Sequence, residues 1–315
     1  MPVRWLSPSP VLRVERFSSF EEFRSNDILG GVTSTPLHST AFSVARSILA
    51  LSDSLLVLQR SFAREMEGNF GTDRGVGLVI PLAFHATMNG RAVGDSAIGI
   101  IRGRSPTRVV EQHANTYLML RFGSDMHNRG WADFNDGIRL FELAPATMQA
   151  LRAVVLDMFC LASSSGDLKE FDRPSRQMQE TLIAALDNGL VRDCVKQARP
   201  GSFGRHRKLV ERLDELAEAL GGTDLYSCDL AQTLGVSIRT LQTAVQHVCG
   251  VSVHQYLRSK RMWLVRKLLV TGRPLLTVTA AAQANGFWHM SDFARCYYKA
   301  YGESPSETLA RARGR

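Results

Sequence analysis

The stretch LAQTLGVSIRTLQ, residues 230–242, decides how this chain is read. Ala231 is small where two helices would cross closely. Gly235 offers the left-handed backbone that a tight turn between helices needs, and Ser237 stands where it would cap the next helix. On that helix, predicted from Ile238 to about Val248, Leu241, Ala244, Val245 and Val248 recur at helical spacing and face inward. Arg239, Gln242, Thr243 and Gln246 fall at i, i+3, i+4 and i+7 on the opposite face, with Thr240 beside them. Arg and Gln make bidentate contacts to guanine and adenine edges. The pattern therefore predicts a helix-turn-helix whose second helix reads DNA.

The pattern recurs downstream. AAQANGF at 281–287 parallels 230–236, displaced by 51 residues; Leu241 returns as Phe293, displaced by 52, so the second turn holds one extra residue. The expected core positions are Ala231, Gly235 and Leu241 in the first unit (about 228–249). In the second (about 277–300) they are Ala282, Gly286 and Phe293. Between the units, His254–Val270 predicts a basic helix carrying Arg258, Lys260, Arg261, Arg266 and Lys267, ended by Gly272 and Pro274. Seventeen residues rise about 25 Å, a strut able to hold two recognition helices roughly one DNA turn (about 34 Å) apart. Arg258 and Lys260 are the expected phosphate contacts on it. Charge agrees: residues 201–315 hold 16 Lys+Arg against 9 Asp+Glu, whereas residues 1–200 hold 22 against 21. The excess sits where a polyanion would bind.

Upstream the reading changes. Apolar runs at 75–84, 96–101 and 117–122 suggest strands, and Asn89-Gly90 is a strong hairpin dipeptide. Residues 42–59 fit a strand pair or an amphipathic helix. From Pro145, Met148, Leu151, Val154, Val155, Met158 and Phe159 mark a helix. Another starts near Asp172 and Pro174 with a stripe of Met178, Leu182, Ile183 and Leu186, which either packs on its own domain or pairs two chains. Arg199–Gly204 is the linker candidate, and Val210, Leu213, Leu216, Ala217 and Leu220 mark a helix ending at Gly221-Gly222. The expected fold class is α+β: a β-rich domain over 1–165, a helical linker with possible dimerisation over 166–208, and an all-α DNA-binding domain over 209–312, with two helix-turn-helix units joined by a long helix.

Other functions find little support in the residues. No apolar run reaches the 18–20 residues of a membrane span, and the N-terminus lacks a signal segment of about 7–15 apolar residues; a cytoplasmic protein with no membrane partner is expected. His38, His85, His113 and His127 stand alone, without the close spacing of a metal triad, so no metal or cofactor is expected. No nucleophile elbow or phosphate loop is present, and the chain does not read as an enzyme. Cys160, Cys194, Cys228, Cys249 and Cys296 are scattered and read as buried free thiols. Two alternatives stay open. One is a DNA-repair methyl acceptor, for which Cys194, between Arg192 and Lys196, is the candidate, whereas Cys160 lies in an apolar helix expected to raise its pKa. The other is a constitutive DNA-binding protein without a ligand.

Residues 209–310 resemble the DNA-binding domain of the AraC/XylS family of bacterial transcription regulators. The matching text is LAQTLGVSIRTLQ, CGVSVHQYLRSKRM, NGF and YGESPSETL. The resemblance extends more faintly to the N-terminal region, which is similar to the cupin-like, AraC-binding-like sensor domain of that family. It implies a sequence-specific regulator, an activator responding to a small-molecule effector. Double-stranded promoter DNA and RNA polymerase would be its partners, and a homodimer is possible. By position it gives the reading role to Arg239, Gln242 and Thr243, and to Met290, Ser291 and Arg295. Three departures stand out: Trp288 takes a place where many members have a capping Ser, Asp292 brings an acid near the phosphates, and Val245 replaces a frequent Phe.

Overall fold

The computed structural model describes residues 6–26, 31–37, 41–71, 75–89, 91–123, 126, 128–166, 171–192, 203–220 and 227–314. Among the described residues, the β-rich part is built on two antiparallel sheets. The larger, of seven strands, has the spatial order β1 (Leu12–Phe17), β3 (Val44–Leu51), β4 (Ser54–Arg60), β11 (Thr116–Phe122), β6 (Val76–Ala83), β9 (Ala97–Arg102) and β12 (Gly137–Glu142). The smaller, of five, has the order β2 (Val32–Pro36), β5 (Arg64–Phe70), β10 (Ser105–Glu111), β7 (Ala86–Met88) and β8 (Arg91–Val93).

Alternation of side chains along a strand splits the larger sheet into two apolar faces. Leu118, Leu120 and Phe122 turn to one core, shared with helices α2 (Pro145–Ser163) and α3 (Asp172–Arg192). Tyr117 and Met119 turn to the other, shared with Met66, Phe70, Met88 and Val109 of the smaller sheet. Both faces are covered, which explains why these strands read as nearly continuous apolar runs. The ambiguous segment 42–59 is a strand pair, with Leu51 opposite Ser54 and Ile48 opposite Val57. Asn89, at φ 45°, follows a Met88–Arg91 pairing in the smaller sheet, as a tight hairpin requires.

One open choice is decided here and one expectation changes. The Met178, Leu182, Leu186 stripe is buried against α2 and the larger sheet, with Ile183 partly buried beside it. Trp131 Nε1 donates to Asp187 Oδ1 at 2.8 Å, and the Ser52 amide donates to Ser175 Oγ at 3.0 Å, fixing α3 to the β-rich part. Residues 172–192 are therefore core of that part, and the stripe has no face left for a second chain. Cys160, expected to be shielded in its apolar helix, is exposed, as is Cys228; Cys249 and Cys296 are buried. By length and composition α2 could cross a membrane, but its Met148, Leu151, Val155, Met158, Phe159 and Ala162 face is committed to the core. Cys194, Gly221-Gly222 and residues 199–202 of the linker candidate lie outside the described residues.

The helical part follows: α4 (Phe203–Ala219), α5 (Ser227–Thr233), α6 (Ile238–Cys249), α7 (Val253–Val270), α8 (Val278–Gln283), α9 (Met290–Tyr301) and α10 (Pro305–Ala312). The first half of α7 closes the core of α4–α6, and its second half closes the core of α8–α10. Eighteen residues make this strut about 27 Å long. A capping box of Ser252 and Gln255 starts it.

Candidate nucleic-acid interface

Both turns are built alike. Gly235 (φ 68°) and Gly286 (φ 76°) adopt the left-handed region. The next residue's amide then donates back to the small helix residue: Val236 N to Ala231 O at 2.9 Å, and Phe287 N to Ala282 O at 3.0 Å. Leu241 and Phe293 are buried at the matching core positions. Both recognition helices, α6 and α9, end on left-handed glycines, Gly250 and Gly302.

Their starts differ. Ser237 Oγ accepts from the Thr240 amide at 3.1 Å and caps α6. The cap of α9 is His289, whose side chain makes no capping bond. The one extra residue of the second turn thus costs the helix its side-chain cap, and Trp288, in the register of Ser237, is left 71% exposed.

Along α6 the structure presents Arg239, Thr240, Gln242, Thr243 and Gln246 together on one exposed face. Along α9 the proposed readers are less uniform. Ser291 is exposed and Met290 half-buried. Arg295 is exposed but ion-paired with Asp292, whose other oxygen meets Arg258 Nη2 at 2.5 Å. Hydrogen bonds from Arg295 and Arg258 hold the Asp292 carboxyl below its ordinary pKa. The acid noted in sequence is thus answered by two arginines. Ala294 and Tyr298 are exposed too, Tyr298 by 58%. The sequence reading missed both, although the 52-residue displacement makes them the counterparts of Gln242 and Gln246.

The two expected phosphate contacts divide. Residues two apart on a helix point about 200° apart, so Arg258 and Lys260 cannot share a face. Arg258 reaches α9, and Arg261, one turn on, lies over the Phe287 ring at 5.6 Å. Lys260 turns the other way, into the β-rich part. Its Nζ lies 3.1 Å from both Glu65 and Asp214. A phosphate contact from Lys260 would require that pairing to open, just as one from Arg258 would require its pairing with Asp292 to open. Arg266 is also internal, bonded to Glu303 at 2.6 Å and Glu21 at 2.9 Å.

That inward face of α7 carries the contact between the two parts. Arg108 on β10 meets Glu65, Asp214 Oδ2 at 2.9 Å and the Tyr256 hydroxyl at 2.8 Å. Burial alone would push the Glu65 carboxyl up, but Lys260 and Arg108 outweigh it and hold it below its ordinary value. Beside this network, Phe20 of α1 (Phe20–Ser25) meets Trp263 and Tyr301 edge-on at 6.0 and 5.6 Å. The short α1 helix was missed in the sequence. Its signal was Ser19, which accepts from the Glu22 amide at 3.2 Å, ahead of Phe20 and Phe23 at helical spacing.

Among the described residues no group of three His, Cys, Asp or Glu side chains is placed to hold a metal ion. His85 and His113 are exposed, and His38 and His127 lie outside the described residues. Burial pushes the Cys249 thiol far up, away from a reactive thiolate.

Residues 230–311 match the family model described as helix-turn-helix domain. The probable thc operon regulatory protein of Rhodococcus erythropolis is 35% identical over 133 residues, 42% of this chain and 38% of that protein. The XylDLEGF operon transcriptional activator 1 of Pseudomonas putida is 32% identical over 187 residues, 58% of this chain and 54% of that protein. The chain thus spans about half or less of the length of these curated relatives. The solved structure of a probable AraC family transcriptional regulator from Rhodopseudomonas palustris is 36% identical. It covers 34% of this chain and 98% of its own, with a TM-score of 0.31. The C-terminal helix-turn-helix domain of the chain is thus of the AraC/XylS type.

Proposed function

We propose that the chain is a sequence-specific DNA-binding regulator that activates transcription in response to a small effector, working on chromosomal DNA in the cytoplasm and contacting RNA polymerase. The observation that carries this reading is the duplicated turn, with Gly235 and Gly286 in the same conformation and the same return hydrogen bond in both units. That device sets two recognition helices on one strut, which is what reading two major-groove segments requires. Arg239, Thr240, Gln242, Thr243 and Gln246 act as the readers of α6, and Met290, Ser291 and Arg295 belong to α9. No catalytic role is assigned, and a homodimer, if one forms, uses a surface other than the filled α3 stripe.

The effector site in this reading lies between the two sheets. A cavity of about 120 Å³ is lined mainly by apolar side chains, among them Val57, Met66, Phe70, Val79 and Met119. Two charged side chains stand among its described lining: Glu111, engaged by Arg64 Nε at 2.5 Å and Ser61 Oγ at 2.9 Å, and the exposed Arg121. An engineered apolar cavity of about 150 Å³ binds benzene, and a small apolar molecule suits this one. The test has two arms. Affinity of the full chain for duplexes selected from a random pool should fall steeply between low and high salt, as counterion release demands. Toluene-sized apolar compounds should raise its melting temperature. Salt-independent binding would refute the DNA arm, and indifference to every apolar probe would refute the effector site.

A further inference from the structure

The two recognition helices present different chemistry to DNA. In matched positions, Arg239, Gln242, Thr243 and Gln246 of α6 become Ser291, Ala294, Arg295 and Tyr298 of α9. Long side chains that form paired hydrogen bonds are replaced by a short hydroxyl, a methyl and a ring. The cation that remains, Arg295, is drawn to Asp292, which is itself held by Arg258. Around these, Met290 is half-buried, and Trp288 and Tyr298 stand 71% and 58% exposed. Large aromatics left in water on, and in the turn just before, a helix whose opposite face is packed call for a contact surface.

Only one base-pair feature in the major groove is apolar, the C5-methyl of thymine. We propose that α9 reads thymine methyl groups through Ala294 and Tyr298, with Trp288 and Met290 packing beside them, while α6 reads purine edges by hydrogen bonds. The operator is then chemically asymmetric, its α9 half marked by thymines. The inference rests on the DNA-binding reading above.

The experiment separates the two claims. Full-length protein selects duplexes from a random-sequence pool. The half-site met by α6 is identified as the one whose base preference relaxes in Gln242→Ala. The selected duplex is then resynthesised with deoxyuridine for thymidine in one half at a time, which removes the methyl and leaves the pairing edge intact. Deoxyuridine in the α9 half should weaken binding about fourfold per contacted methyl, the loss expected for one buried carbon group. The α6 half should respond less. Tyr298→Ala, at an exposed site, should reduce the deoxyuridine penalty in the α9 half to the share carried by Ala294, while keeping the base preference in the α6 half. Selection of no duplex overturns the DNA-binding reading itself. Selection followed by less than a twofold change in the α9 half, or a larger loss in the α6 half, overturns methyl reading alone.

Discussion

Replacing Arg108 by Met removes the cation at the centre of the contact between the two parts of the chain. The guanidinium is 6% exposed and meets Glu65 (4% exposed), Asp214 and the Tyr256 hydroxyl. Breaking a buried ion pair by deleting one partner costs about 3–5 kcal/mol, because the remaining charge stays desolvated. Here Lys260 still reaches both Glu65 and Asp214 at 3.1 Å, so the lower end, about 3 kcal/mol, applies. At about 2–4 °C per kcal/mol for domains of this size, the melting temperature should drop by roughly 6–12 °C. The informative measurement is a double-mutant cycle with Asp214→Asn, which lies 106 residues away on α4. The two changes should couple by about 1–3 kcal/mol in urea unfolding followed by circular dichroism. Additivity within about 0.5 kcal/mol would mean that the β-rich and helical parts do not dock through this network in solution, and the reasoning about Lys260 would fall with it.

Three other outcomes are expected. Arg239→Ala should cost about 1–3 kcal/mol on a selected duplex and relax preference at one base pair; equal weakening of selected and random DNA in a binding titration would make Arg239 a phosphate clamp. Gly302→Ala places a Cβ 2.0 Å from the Ser18 carbonyl oxygen, whereas Gly235→Ala meets nothing within 4 Å. Both incur about 1–2 kcal/mol of left-handed strain, but only Gly302→Ala should enlarge the particle in small-angle scattering, by forcing the parts away from each other. The third concerns pH. His206 lies with its Nδ1 3.0 Å from that of His247, and burial, His247 and Arg205 depress its pKa. The folded protein then takes up fewer protons than the unfolded chain as pH falls below about 6.5. The stability this group contributes is present above that pH and lost as pH falls towards the depressed value. His206→Gln should flatten that decline in thermal melts between pH 7.5 and 5.5, and an unchanged slope would refute it.

What was legible in the sequence is what short-range physics decides. A turn glycine, a capping Ser237 and apolar residues spaced to one helix face act within a few residues of each other, so 230–249 and its repeat could be read residue by residue. The exposed faces of α6 and α9 follow from the same spacing, although Ala294 and Tyr298 were passed over because their side chains do not resemble base readers. Tertiary structure decided the rest, because the deciding contacts join residues far apart in the chain. The stripe of α3 suits a second chain or its own core equally well until α2 and the larger sheet fill it. A strand pair and an amphipathic helix share the composition of 42–59, and only the pairing of β3 with β1 and β4 chooses. The positive charge of α7 looks uniform in sequence, yet Glu65 and Asp214 claim Lys260 while Asp292 claims Arg258. Which carboxylate holds each cation of that helix is decided 34 to 195 residues away, and a local pattern carries no record of it.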